Sequence, residues 1–183
     1  EMDEVRIDFG PTTQSFLVGP GAASPPGVPS GLWALNKAHG SMPMADLVMP
    51  AVKAAREGVE VTAGFARVCA LLWPILARSA ALRAIFAPNG EPIGQGETFV
   101  CPNLANTLED YAQDPACFGS GNGAKVLLDQ LSTETRISAE DLAQQATCIR
   151  PAIAVHYRGA KLWVPGAPSA AGLGVAHTLA TLE

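Results

Sequence analysis

The sequence predicts an α+β fold, a helix-rich body with a strand near its N-terminus and a β-hairpin at 152–164. Three observations predict it. Apolar residues recur at helical spacing through most of the stretch from 30 to 146, whereas they alternate with polar ones at 5–9 and again at 152–164. The 18 Gly and 15 Pro of the 183 residues interrupt these patterns often enough to keep each helix short. With 48% hydrophobic and 16% charged residues, the chain has the length and the apolar content for one packed domain, and residues 1–183 read as part of a single one.

Taken in order, residues 5–9 alternate as a strand, and the Gly/Pro-rich stretch that follows to Gly27 reads as an extended connection. A first helix is expected from Ser30, with Leu32, Leu35 and His39 on one face and Gly40 as a left-handed cap. The second covers 45–57. Leu47, Val48, Ala51, Val52 and Ala55 form its stripe, Gly58 closes it, and Pro50 is assigned to its first turns, where a missing N–H costs little.

A third helix is expected over 62–73, with Pro74 ending or kinking it, and a short one follows at 80–86 before a turn at 88–92. Pro102 opens a helix to Gln113 with Leu104, Leu108 and Tyr111 on one face, and 123–131 forms another. Ser138 and Asp141 have capping-box spacing, so a short helix starts there and ends by 146. Two strands at 152–157 and 160–164 are joined by Arg158 and Gly159. A Pro-rich corner leads to a final small-residue helix opened by Ser169.

Charge and composition exclude several functions. A net charge of −5, with 12 Lys and Arg dispersed along the chain, leaves no basic stripe for a phosphate backbone, so no nucleic-acid partner is expected. The longest apolar run, 68–77, is too short to cross a bilayer, and no membrane partner is expected. Cys69, Cys101, Cys117 and Cys148 lack the spacing of a zinc site and read as reduced, mostly buried small residues, with one disulfide as the alternative. No metal or cofactor is expected. Position 1 is not Met, and the chain stops within helical pattern, so both ends read as cut from a longer sequence.

The order of punctuating residues resembles one family. Pro26 and Gly27, the helix running to His39 and Gly40, Met42-Pro43, Pro50-Ala51-Val52 and the Ala-Ala-Arg-Glu-Gly segment ending at Gly58 are similar to the corresponding stretch of γ-glutamyltransferases. The likeness continues through Gly90, Pro92, Gly96, Phe118 and Gly119 to the segment 137–143. It ends on Tyr157-Arg158-Gly159, Val164-Pro165 and Pro168-Ser169, and so covers nearly the whole chain.

That resemblance implies a segment of the large subunit of an N-terminal-nucleophile hydrolase with an αββα sandwich. It also implies a small-subunit partner whose N-terminal Thr attacks a small-molecule substrate, with its own amine as base. No catalytic residue then lies in this chain. The large subunit's implied contribution is an Arg after the first strand that grips the substrate α-carboxylate; here the substrate-binding positions are Phe9 and Gly10, and Gly10 stands where that Arg belongs. Arg6 lies on the same strand face but roughly 13 Å away along an extended chain, too far to replace it.

A non-standard acyl donor is therefore expected, since losing a charge-assisted pair weakens binding by a few kcal/mol. The alternatives are a relative that cleaves a carbon–carbon or other acyl bond in antibiotic biosynthesis, and a noncatalytic homologue. The remaining polar features have structural readings. His39 is expected at a helix end, His156 on the outward strand face and His177 packed; Glu4 and Asp8 read as surface acids, and the Gly-rich run 119–123 as a turn lacking the Lys of a phosphate loop.

Overall fold

The computed structural model describes residues 2–131, 135–145 and 147–182. They fall into two compact units, Glu1–Ala146 and Thr147–Glu183.

The first unit opens with a hairpin. Strand β1 (Asp3–Asp8) pairs antiparallel with β2 (Thr13–Val18), Asp3 opposite Val18 and Asp8 opposite Thr13. The expected strand at 5–9 thus ends one residue early, and its partner was read as connection. The signal for β2 is present, because Thr13 to Val18 is rich in β-branched and aromatic residues after a Gly-containing loop. Val5 and Ile7 turn inward and are buried against the short helix α4 (Trp73–Leu76), while Glu4, Arg6 and Asp8 face out. The Arg78 guanidinium pairs with Asp3, tying the strand to the end of that helix.

The centre of this unit is the pair α2 (Met44–Glu57) and α6 (Pro102–Gln113). Met44, Val48 and Val52 on α2 meet Ala105, Tyr111 and Ala112 on α6 around the buried Cys117. The small Ala105, with no exposure at all, lets the two helices approach closely. Pro50 lies inside α2 rather than in its first turn, so the bond its N–H would give to Asp46 is missing. Helix α1 (Val28–His39) rests on this pair through Trp33, whose Nε1–H donates to the Tyr111 carbonyl at 3.1 Å, while the Tyr111 hydroxyl donates to the Pro29 carbonyl at 3.0 Å.

Leu32, Leu35 and His39 do share one face of α1, bordering one groove, with Leu32 and Leu35 48% and 57% exposed; one expectation for the helix is corrected. Gly40 is extended rather than left-handed, at φ −71° and ψ 144°, and a Cβ there would come within 2.5 Å of the Asn36 carbonyl oxygen. Close approach is what requires glycine. Gly58 ends α2 at φ +92°, and a Cβ on it would meet Thr98 Cγ2 of strand β4 (Thr98–Phe99) at 2.5 Å. Strand β3 (Val59–Glu60) pairs antiparallel with β4.

The expected helix at 62–73 forms as α3 (Ala63–Leu71), capped by Thr62 Oγ1 accepting from the Phe65 N–H at 3.2 Å. Pro74 does fall at a break, seated at the start of α4. Helix α5 (Ala80–Phe86) has the expected bounds, and Phe86 joins Phe65 and Phe99 in an aromatic cluster over Val61, Cys69 and Ile93. Helix α7 (Asn122–Leu131) follows, and α8 (Ala139–Ala143) carries the full reciprocal capping box between Ser138 and Asp141.

The second unit is a hairpin and a helix. Strands β5 (Ile153–Tyr157) and β6 (Ala160–Val164) pair with Tyr157 opposite Ala160, and Arg158 and Gly159 both have positive φ, at +46° and +77°. This is the primed two-residue turn the sequence implied. Helix α9 (Ala170–Leu182) packs on it, and the Ser169 hydroxyl accepts from the Gly172 N–H at 3.1 Å. Gly172 is the buried residue of α9; His177, expected to be packed, is exposed. No helix among the described residues is long and apolar enough to cross a membrane.

Candidate functional site

The substrate-binding positions expected from the sequence, Phe9 and Gly10, sit together on the four-residue turn between β1 and β2. Local chemistry builds this turn. The Phe9 N–H donates to the Thr12 carbonyl at 2.9 Å, and the Asp8 carboxylate accepts from the Gly10 N–H at 2.8 Å. Asp8 therefore shapes the turn as well as facing solvent. Gly10 has φ +89°, a conformation side-chain-bearing residues rarely adopt, and it precedes Pro11, which restricts it further. An ideal Cβ on Gly10 meets no atom within 4 Å, so the space beside the turn is open.

Phe9 is 38% exposed, with its ring 6.3 Å from that of Phe16. Arg6 is drawn away from the turn: its Nε lies 3.4 Å from Glu4 Oε1, which also accepts from the Ser15 hydroxyl at 2.6 Å. The Ser15 hydrogen bond, with help from Arg6, holds the Glu4 carboxyl below its ordinary range. Asp8 takes part in no ion pair among the described residues. The turn thus carries an open glycine, with the Asp8 carboxylate on the outward face of the hairpin and the Phe9 ring beside Phe16 on the other.

His39 borders an open groove of about 620 Å³ between α1, α2 and α6, lined by Leu32, Leu35, Leu47 and Leu108. His156 faces outward on β5, as its alternation with buried Val155 requires. In the Gly-rich run, the N–H groups of Gly119, Ser120 and Gly121 all donate to the Ala116 carbonyl, so none of these three is left to cradle an anion. A Cβ on Gly121 would lie 2.8 Å from Cys117 Cα, which is a packing reason for that glycine.

All four cysteines are free; Cys69 and Cys117 are buried, and burial pushes both thiols up, whereas Cys148 is exposed. No cluster of three or more His, Cys, Asp or Glu side chains among the described residues is placed to hold a metal ion.

In fold, this mixed helix and strand chain is similar to the crystal structure of Helicobacter pylori gamma-glutamyltranspeptidase. The TM-score is 0.81 at 26% identity, over 86% of this chain and 46% of that one. In sequence it is 31% identical over 176 residues to the glutathione hydrolase proenzyme of Escherichia coli (strain K12), covering 94% of this chain and 30% of that protein. It is 28% identical over 183 residues to the Acylase ACY 1 proenzyme of Pseudomonas sp. (strain V22), covering 99% of this chain and 33% of that protein. The chain belongs to the gamma-glutamyltranspeptidase family, whose model matches residues 4–183. It spans about a third of the length of these curated relatives.

Proposed function

We propose that this chain is a large-subunit segment of an acyl-transferring or amide-hydrolysing enzyme of the N-terminal-nucleophile class, acting on a donor other than a γ-glutamyl compound. Family membership over residues 4–183 supports the class. Gly10 is the observation that carries the donor assignment. It stands at the turn position where the family resemblance implies a carboxylate-gripping Arg, and Arg6 is held back by Glu4.

In this reading a separate small subunit supplies a free N-terminal Thr. Its hydroxyl attacks the acyl carbonyl, its α-amine takes the proton, and backbone N–H groups hold the oxyanion; water or an amine then releases the acyl group. The relatives named as proenzymes support a chain that is cut into two. The hairpins β1–β2, β3–β4 and β5–β6 belong, on this proposal, to the sheets of an αββα sandwich completed by the rest of the protein. The acylase relative, aligned along 99% of this chain, supports an acyl-cleaving reading.

Two measurements test the reading. The full-length precursor is expected to split into two bands with a Thr or Ser at the new N-terminus; an uncut chain without turnover would favour the noncatalytic alternative. The mature protein is expected to hydrolyse γ-glutamyl-p-nitroanilide poorly, and Gly10→Arg to lower KM for it. Brisk wild-type turnover overturns the donor assignment.

A further inference from the structure

We draw no further inference here: the strongest candidate, the open apolar groove between α1, α2 and α6 bordered by the exposed Leu32, Leu35 and Leu47, carries nothing, because nothing in the structure shows what covers it.

Discussion

The β1–β2 turn and the join between α9 and the corner after β6 both depend on a glycine, for opposite reasons. Gly10 has open space around it and a backbone at φ +89°, so it is required by conformation. Gly172 is packed without room: a Cβ there would fall 2.0 Å from the Pro165 carbonyl oxygen. The first position has room for a side chain; the second is fixed by contact.

The same contrast separates helices. On α2 the predicted stripe has a buried centre, because Val48 and Val52 meet α6, although Leu47 and Ala51 beside them are exposed, and the polar face is left to Lys53 and Glu57. Helix α9 is apolar nearly all round, yet Leu173, Val175 and Leu182 are 44%, 48% and 64% exposed. Its seat is made by the absence of a side chain at Gly172 rather than by a stripe.

The largest effect should therefore come from Gly172→Ala. Overpacking against backbone cannot be relieved by turning a side chain, and a loss of about 3 kcal/mol is expected. Hydrogen exchange should show amides of 170–182 losing protection while those of α2 and α6 keep theirs. Protection of α9 unchanged from wild type would break the comparison.

Gly10→Ala should cost about 1 kcal/mol, since the methyl meets nothing and only the backbone strain is felt. Urea unfolding measures it. A loss as large as that of Gly172→Ala would mean the turn is crowded in the intact protein. The same strain acts on Gly10→Arg, which is why that variant is better judged by KM than by total activity.

The sequence made helix positions legible where local chemistry decides them. Thr62, Ser79 and Ser138 cap as hydroxyl residues do, and Arg158-Gly159 makes its turn because glycine suits positive φ. The family likeness was legible too, through many weak punctuating residues in order, and the matching of residues 4–183 bears it out.

What the sequence hid depends on contacts that residue type alone does not reveal. Strand β2 is defined by its register with β1, and its Leu17, 62% exposed, blurs the expected alternation of a half-buried strand. The assignment of Gly40 to a left-handed cap failed because proximity to Asn36 also demands glycine, and the two reasons leave the same letter. The faces of α1 and α9 look like core in sequence although much of that surface is open here, since periodicity reports that a face is apolar and not what covers it. At the candidate site Gly10 could be named from the sequence, but the role of Asp8 in the turn follows only from its bond to the Gly10 N–H.

The smallest expected effects lie in the capping box, which, like the β1–β2 turn, is held by a carboxylate accepting from a nearby N–H. Ser138→Ala removes the hydroxyl that accepts from the Asp141 N–H at 3.1 Å and should cost about 1 kcal/mol or less. The reciprocal arm is pH-dependent. The Ser138 N–H and hydroxyl donate to Asp141 at 2.8 and 2.7 Å and hold its carboxyl below the ordinary range.

A carboxyl whose folded pKa is depressed stabilises above its unfolded value, near 3.9, and that contribution is lost as pH falls through the lower folded value. Carbon-detected titration of Asp141 should therefore show a midpoint below the ordinary one, and Ser138→Ala should move it upward by removing one of the two donors. If Ser138→Ala left the Asp141 midpoint unmoved, the backbone N–H alone would hold the carboxylate, and the two sites would be equivalent in kind.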